Sequence, residues 1–356
     1  MRVPDGRAVP EAPPPRSTSS DAPVPSTSAS LATPFCIGGL HVPNRVVLAP
    51  MAGLTGSAYR RHLKAHGAGL VTSEMVSAYG LLHGNVRTAG YLDFAEEERP
   101  IAVQLFGDTP GVMARAAEVV LSRPAVPDLI DINMGCPVRK VVRTGAGAAF
   151  LGDPDRAVAV AAAVVRVALQ AGVPVTAKLR SGMRQGERTV VGLAPRLEAV
   201  GVQGLGVHPR AADQYYRGAA DHAITAAVVA AVEVPVMASG DVVSVTSAFS
   251  VWEATGAAAL MAARGVAGNP WLVGALLSGR SAARPPLPVV VEDLRRLLSL
   301  AAAEQGPERA ARWIRKLLSW YLRPSGVPAS TLERLRSTGD AGALDEALAG
   351  LAATEA

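Results

Sequence analysis

The sequence has few cysteines, no long apolar run and no glycine-rich dinucleotide motif. Its 356 residues include 2 cysteines, too few for a disulfide framework or a four-thiolate zinc site. The longest apolar runs, such as residues 157–165, stop well short of the ~18 residues that a membrane-spanning helix needs. The first strand-like run is not followed by G-x-G-x-x-G, which argues against a Rossmann fold. These absences exclude a secreted disulfide scaffold and a membrane protein.

The first 33 residues are rich in Pro, Ser, Thr and Ala, and their few charges cancel. They lack the apolar core of a secretory signal, and the proline run at residues 13–15 prevents the amphipathic helix of a transit peptide. We therefore expect residues 1–33 to form a disordered tail. Without a signal or a membrane span, we expect a cytoplasmic protein.

From residue 45 onward, short apolar runs alternate with alanine-rich helical stretches. Continuous rather than alternating apolarity is typical of strands buried on both faces, as in a parallel sheet wrapped by helices. The predicted strands are residues 46–49, 70–73, 101–106, 129–133, 173–179, 205–208, 234–239 and 257–262. Eight such strands over about 235 residues predict an α/β fold of the TIM (β/α)8 barrel type.

A proline-rich joint at residues 284–288 separates this region from helical sequence that continues to the end. Helices are predicted at residues 291–304, 307–322, 330–337 and 341–352, because glycine and proline punctuate the chain between them. We therefore predict a barrel over residues 34–283 and a small all-α domain over residues 289–356.

All eight predicted strands end in small or polar residues, and in a TIM barrel these ends form the active site. Ser239-Gly240-Asp241 and Ala263-Arg264-Gly265 follow strands seven and eight, where such barrels bind phosphate. Lys178 and Gln104 would face the barrel axis, where they could bind the edge of a flavin ring. A Lys–Gln pair inside the barrel mouth is the alternative.

Cys136 lies on a tight loop after the fourth strand, between Gly135 and Pro137. At an ordinary pKa of about 8.5 its thiol is protonated at neutral pH and can act as a general acid. A nucleophilic role, the alternative, would need a base to form the thiolate. Cys36, beside apolar neighbours, is expected to pack inertly.

His62 and His66 have a spacing that could bind a metal. They also precede a glycine at a predicted helix end, where cations suit the helix dipole. We therefore expect no metal site.

Short motifs spread through the whole barrel match one enzyme family. They are Ala49-Pro-Met-Ala-Gly53-Leu-Thr55, Thr72-Ser-Glu-Met75, Asp131-Ile-Asn-Met-Gly-Cys-Pro137, Lys178-Leu-Arg180, His208-Pro-Arg210, Ser239-Gly-Asp241 and Arg264-Gly-Val-Ala-Gly-Asn-Pro-Trp271. Together they resemble the tRNA-dihydrouridine synthases, flavoenzymes that reduce the uracil 5,6 double bond in tRNA, and within them the bacterial B-type branch. Ser319-Trp-Tyr-Leu322 extends the likeness into the helical domain.

The resemblance implies a flavin mononucleotide (FMN) in the barrel and NADPH as reductant. Hydride would pass from N5 of the reduced flavin to uracil C6, while Cys136 protonates C5 from the other face and Asn133 orients the uracil. The implied FMN contacts are Pro50, Met51, Ala52, Gln104, Lys178, His208, Ser239, Gly240, Asp241, Ala263 and Arg264.

Basic residues indicate a tRNA partner. The net charge is +5, and residues 309–336 hold seven basic residues against one acidic residue. Arg309, Arg312 and Lys316 share a helix face at i, i+3 and i+7, for which a solvated charged face is the alternative. We assign to the tRNA substrate Arg139, Lys140, Arg143, Arg180, Arg210, Arg309, Arg312 and Lys316.

Two other functions stay open. A flavin barrel could act on a free pyrimidine, as dihydroorotate dehydrogenase does, but a small substrate needs no basic helical domain. A tRNA-binding protein without flavin is the other possibility, because Ser239 and Ala262-Ala263 replace the Asn and Ile-Gly usual in the family. We expect a monomer.

Overall fold

The computed structural model describes residues 30–353 of the chain. Residues 1–29, most of the predicted tail, lie outside the described part. Leu31, however, is fully buried, and its carbonyl accepts a hydrogen bond from the amide of Arg45 at 2.8 Å. The packed chain therefore begins before the boundary at residue 33 that the composition predicts.

The described residues form eleven strands. They are β1 (Phe35–Ile37), β2 (Leu40–Val42), β3 (Val46–Leu48), β4 (Val71–Thr72), β5 (Val76–Ser77), β6 (Ile101–Phe106), β7 (Leu129–Met134), β8 (Val175–Arg180), β9 (Gly204–His208), β10 (Val236–Ser239) and β11 (Ala259–Ala262).

The same part of the chain forms fourteen α-helices. They are α1 (Ser57–Ala65), α2 (Ala78–Leu82), α3 (Val86–Ala89), α4 (Pro110–Leu121), α5 (Arg139–Val142), α6 (Pro154–Gln170), α7 (Thr189–Ala199), α8 (His222–Val229), α9 (Val245–Thr255), α10 (Trp271–Ser278), α11 (Leu287–Gln305), α12 (Pro307–Leu322), α13 (Ala329–Ser337) and α14 (Ala341–Ala353).

Eight parallel strands form the predicted barrel, in the order β3-β11-β10-β9-β8-β7-β6-β4. The ring is closed between β3 and β4 by a parallel bridge from Val47 to Leu70, and the amide of Leu48 donates to the carbonyl of Leu70 at 2.8 Å. Each of the eight predicted strands overlaps one of these strands, so the fold prediction is confirmed.

Alternate residues of each strand point into the barrel. At the amino-terminal strand ends this interior is apolar and contains Val47, Ala102, Leu129, Met237 and Ala259. The antiparallel β1–β2 hairpin, which was not predicted, closes this end: Ile37 and Val42 pack into the same cluster. Cys36 lies on the hairpin with its side chain exposed, so the expectation that it packs in the core was wrong.

Helix ends follow local sequence signals. Asp153 caps α6 by accepting from the amide of Arg156, and Pro154 occupies the first turn, where its missing N–H costs nothing. Ser244 caps α9, which ends at Gly256 in the left-handed conformation. These signals set the helices on the outside of the barrel between strands.

The four C-terminal helices follow the predicted pattern, and α12 has the predicted bounds. They pack against the barrel through α1 rather than standing apart. Glu304 of α11 accepts a hydrogen bond from the amide of Ala58 at 2.5 Å, which caps the start of α1. A Cβ on Gly268 would lie 2.3 Å from the backbone of Trp320, so the two regions meet closely there.

A buried polar cluster links α1 to the C-terminal helices. His66 Nε2 lies 2.8 Å from Asp293 Oδ1, and His62 Nε2 lies 3.0 Å from the hydroxyl of Tyr321 and 3.2 Å from Asp293 Oδ2. Burial lowers the pKa of His62, which favours its neutral form. Between residues 30 and 353, His62, His66 and Asp293 are the only group of this kind with a metal-binding arrangement. The Nε2 atoms of the two histidines therefore have partners in Asp293 Oδ1 and the hydroxyl of Tyr321.

None of the helices between residues 30 and 353 is both long enough and apolar enough to cross a membrane.

Candidate active site

A chain of buried polar side chains crosses the carboxyl-terminal half of the barrel interior. Asp131 accepts hydrogen bonds from Thr176 Oγ1 and Gln104 Nε2, both at 2.6 Å. Gln104 Oε1 in turn accepts from Asn133 Nδ2 at 2.8 Å. Because Asp131 is an acceptor when ionised, it fixes which way both amides point. Burial raises the pKa of Asp131, and the bonds from Thr176 and Gln104 oppose that rise.

The same chain positions the loop of Cys136. Asn133 Oδ1 accepts from the amides of Cys136 at 2.9 Å and Gly135 at 3.3 Å. The carbonyl of Cys136 accepts from the amide of Ala148 at 3.0 Å. A Cβ on Gly147, whose φ is +63°, would lie 2.8 Å from that carbonyl oxygen. The backbone on both sides of the cysteine is therefore fixed.

The thiol of Cys136 is half-buried at this end of the barrel. Burial raises its pKa, while the amide of Val138 and the positive charge of Arg180 act in the opposite direction. The net shift is upward, so the thiol is protonated at neutral pH. A protonated thiol can donate a proton, whereas a nucleophilic cysteine needs a lowered pKa; the general acid role is favoured.

Four cations surround His208 at the end of β9. Burial lowers the pKa of His208 well below its ordinary value, and the charges of Lys178, Arg180, Arg210 and Arg264 lower it further. Burial also lowers the pKa of Lys178 to about 8, assisted by Arg180 and opposed by Asp131. Among the described residues, only Arg210 of these four cations forms an ion pair with a carboxylate. Such an excess of positive charge suits an anionic ligand.

Arg210 is the one cation of the cluster with a carboxylate partner. Its Nη2 lies 2.8 and 2.9 Å from the two oxygens of Asp241, and Asp241 also accepts from the amide of Ala220 at 2.8 Å. The Asp241 carboxylate is thus directed at protein donors, so an FMN contact there would involve its backbone. Arg210, assigned to the substrate from the sequence, holds the loop after β9 instead of facing open space.

Tyr216 covers part of the cation cluster. The Arg264 guanidinium lies 4.5 Å from the centre of its ring, and that of Arg180 lies 5.4 Å away. Arg180 Nη1 also donates to the carbonyls of Ala211 and Tyr215 at 3.0 and 2.7 Å. The long loop after β9 therefore folds back over the barrel mouth and orients two of its guanidinium groups.

The loops after β10 and β11 pack against each other. A Cβ on Gly265 would lie 2.1 Å from the carbonyl oxygen of Val242, and one on Gly240, whose φ is +112°, would meet the His208 ring at 2.9 Å. Only glycine permits both approaches. Ser239 is buried, and Ala263 is half-buried beside Arg264. The arrangement brings backbone and one guanidinium together where a phosphate site was predicted.

The loop after β3 carries Pro50, Met51 and Ala52. Pro50 and Met51 are half-buried, whereas Ala52 is exposed. The next residue, Gly53, donates its amide hydrogen to Glu74 Oε2 at 2.5 Å. Glu74 lies in the interruption between β4 and β5, and burial raises its pKa despite the bond from Gly53.

A family model described as dihydrouridine synthase matches residues 47–350. The tRNA-dihydrouridine synthase B of Xanthomonas campestris is 37% identical over 291 residues, which cover 81% of this chain and 86% of that protein. Its counterpart in Pseudomonas aeruginosa is 38% identical over 290 residues, which cover 80% and 86%. The chain belongs to the dihydrouridine synthase family.

Solved structures show the same barrel fold at low sequence identity. Morphinone reductase superposes with a TM-score of 0.52 at 15% identity and covers 73% of this chain and 92% of its own. An old yellow enzyme homologue from Zymomonas mobilis gives a TM-score of 0.54 at 15% identity, with coverages of 72% and 94%.

Two basic surfaces of this dihydrouridine synthase family member lie outside the barrel mouth. Arg139, Lys140 and Arg143 are exposed and line one surface depression close after Cys136. Arg309 and Arg312 are exposed on α12. The third residue of that face, Lys316, donates to the carbonyl of Gly53 at 2.9 Å. Lys316 therefore contacts the barrel and is not simply a solvated cation.

Sequence reasoning did not assign Asp131, Thr176 or Glu74 to the site. Asp131 and Thr176 stand at strand positions where a polar residue interrupts apolar sequence, and Glu74 directly follows the second predicted strand; these are the signals that could have found them. Asp131 and Asn133 alternate on β7, as residues facing one side of a strand do. Their partners on β6 and β8 follow only from the strand register, in which Asp131 lies between Gln104 and Thr176.

Proposed function

We propose that this protein reduces specific uridines in tRNA to dihydrouridine, with FMN as its flavin, NADPH as the reductant and Cys136 as the proton donor. One observation carries the proposal: a protonated, half-buried thiol lies at the same strand ends as a cluster of four cations, of which only Arg210 has a carboxylate partner among the described residues. The proposal includes a cytoplasmic monomer as the acting form.

The cation cluster supports a flavin with a phosphate group. Arg264 and the backbone of Gly240 and Gly265 would hold the phosphate, since small residues and a guanidinium meet there. Lys178 would bind the electron-rich edge of the ring, and this contact would restore the ammonium charge that burial disfavours. Gln104 has a second N–H that its bond to Asp131 leaves free for the ring.

The chemistry assigned to Cys136 follows from its protonation. A bound flavin supplies the hydride that reduces the uracil double bond at C6. The proton must arrive at C5, and Cys136 delivers it from its thiol, which the amides held by Asn133 keep in place. Asn133 Nδ2 has a second N–H besides the one it donates to Gln104, and this nitrogen lies 3.8 Å from Met75 Sδ. Sulfur is a weak acceptor, so a uracil oxygen can replace it.

Folded tRNA has to give up a base to reach the barrel mouth, at a cost of a few kcal/mol. Phosphate contacts elsewhere offset that cost, and they come mainly from Lys and Arg. The exposed cations on α5, directly after it and on α12 suit this purpose: Arg139, Lys140, Arg143, Arg309 and Arg312. A barrel acting on a free pyrimidine has no use for them, which favours RNA over that alternative.

The test uses purified full-length protein, unmodified tRNA transcript, FMN and NADPH. We expect visible flavin absorbance in the protein and dihydrouridine in the tRNA, with one NADPH oxidised per dihydrouridine formed. Uridine monophosphate and orotate, offered in place of tRNA, should give no product.

Three results would overturn parts of the proposal. Reduction of orotate but not of tRNA would favour the free-pyrimidine enzyme. Binding of tRNA without any flavin uptake would favour a binding protein that has lost catalysis. Unchanged dihydrouridine in tRNA from a strain lacking the gene would remove the proposed reaction in the cell.

A further inference from the structure

The loop of residues 49–56, between β3 and α1, is fastened at several points, and we call it the flavin loop. Thr55 Oγ1 accepts from the amide of Met51 at 3.1 Å. Buried Arg60 donates to the carbonyl of Thr55 at 2.8 Å, and Glu74 binds the amide of Gly53. These contacts come from the barrel itself, and none of them involves the carbonyl of Gly53.

The C-terminal helices supply both donors to that carbonyl. Trp313 Nε1 lies 3.1 Å and Lys316 Nζ lies 2.9 Å from the oxygen of Gly53. The two residues are three positions apart on α12 and therefore share a face. Gly53 has a φ of +76°, and a Cβ there would lie 3.2 Å from Lys316 Nζ. A glycine is needed for the carbonyl to reach both donors.

The donors are themselves held against the barrel. The rings of Trp313 and Tyr59 meet edge to face with centroids 6.5 Å apart. Glu304 binds the amide of Ala58 from the neighbouring helix α11. The ring of Trp313 is therefore packed in place, and Lys316 extends to Gly53 from the next turn of the same helix.

We propose that Lys316 and Trp313 are positioning residues for the flavin: by holding Gly53 they set Met51 and Ala52, so the helical domain governs flavin affinity as well as RNA binding. The argument rests on the proposed function for the identity of the ligand. The carbonyl of Gly53 shares its peptide plane with the amide of Leu54, and that amide donates to the carbonyl of Met51 at 3.0 Å. The ammonium of Lys316 has three donors and uses one on Gly53, so it can bind an RNA phosphate at the same time.

The experiment measures FMN binding to full-length protein, without tRNA or NADPH, by quenching of FMN fluorescence. We expect Lys316→Met, which keeps the aliphatic stem, to weaken FMN binding about tenfold, as loss of a charged hydrogen bond does. Trp313→Phe keeps the packed ring and loses the N–H, and it should weaken binding about threefold. Hydrogen exchange at the amides of Gly53 and Leu54 should quicken in both variants. Lys316→Arg should restore most of the affinity.

Arg312→Met is the matched control. It removes a positive charge from the same face of α12, but Arg312 makes no hydrogen bond to the flavin loop within residues 30–353. We expect it to weaken tRNA binding and leave FMN affinity unchanged. If Lys316→Met behaves like Arg312→Met, with FMN affinity and loop exchange unaltered, the positioning role is wrong. If the wild type takes up no FMN, the proposed function fails, and exchange at Gly53 in the ligand-free protein still decides whether the helical domain holds the loop.

Discussion

The two ends of this barrel are built from the same eight strands and carry opposite kinds of side chain. At the amino-terminal ends, Leu129 and Met237 face an apolar interior that Ile37 of the hairpin closes. At the carboxyl-terminal ends, the same inward alternation presents Asn133 and Lys178, which are neighbours across β7 and β8. Stability is concentrated at one end and chemistry at the other, as the barrel architecture allows.

The difference between the two ends shows how charged side chains are accommodated inside the barrel. Asp131 lies one inward position above apolar Leu129, and it is satisfied by Thr176 and Gln104 rather than by a cation. The unpaired cations begin one step higher, where a ligand can reach them. The polar chain through Asp131 therefore separates a closed core from an open site.

The largest expected effect belongs to the sulfur at the open end. Cys136→Ala should lower turnover on tRNA by about 10²–10⁴-fold, the range for loss of a general acid, while flavin stays bound. Rapid-quench measurement of dihydrouridine checks it. Cys36→Ala, at the exposed hairpin of the opposite end, is the control and should turn over normally. Wild-type turnover in Cys136→Ala would refute the acid role.

A substitution at the closed end should lower stability and leave turnover unchanged. Ile37→Ala removes a fully buried side chain and should cost about 2–4 kcal/mol of unfolding free energy, measured by denaturant titration. Turnover per folded molecule should be unchanged. Leu40→Ala, half-buried on the same hairpin, should cost less. A large loss of turnover in folded Ile37→Ala would contradict the conclusion that the amino-terminal end contributes stability and not chemistry.

The polar chain between the ends should show a mixed effect. Asn133→Ala frees the amides of Gly135 and Cys136 and should reduce turnover about tenfold, because the thiol loop loses its fixed position. Thr176→Val, at the far end of the chain, should cost about 1–2 kcal/mol of stability with a smaller loss of turnover. Equal losses of turnover in both variants would contradict a local role for Asn133. Single-turnover rates with pre-reduced enzyme make the comparison.

The pH dependences of FMN binding and of turnover should distinguish Lys178 from Cys136 at the open end of the barrel. Lys178, with a pKa of about 8, is charged below pH 8, so the Kd for FMN should be constant there and rise up to tenfold per unit above it. The thiol of Cys136 has a raised pKa. Proton donation should therefore persist beyond the ordinary thiol pKa of about 8.5 and fall only at higher pH. Lys178→Met should bind FMN more weakly, and its Kd should not rise above pH 8. If the Kd of this variant still rises there, a group other than Lys178 titrates.

Much of the fold was predictable because strands buried on both faces have unbroken apolar sequence. The eight runs and the C-terminal helices, including α12, match the structure closely. The hairpin at Phe35–Ile37 and Leu40–Val42 escaped prediction because each strand has three residues, too few for a periodic signal. Its Gly-Gly turn, residues 38–39, was the available clue.

The candidate site was less predictable, because its order depends on pairing across strands. The sequence points to Cys136, Lys178 and Arg264 as residues at strand ends. It does not tell that Arg210 pairs with Asp241, 31 positions later, or that Asp131 orients Gln104. Nor does it connect Lys316 to Gly53, which lie 263 positions apart.

That last separation has a consequence for how the molecule is made. Synthesis proceeds from the amino terminus, and domains generally fold as they emerge. All eight barrel strands are complete once residue 262 has been added, yet the carbonyl of Gly53 then still lacks the indole and the ammonium that will hold it. A barrel that folds during synthesis would accordingly bind its coenzyme weakly. Full affinity would be reached only after the C-terminal helices have left the ribosome.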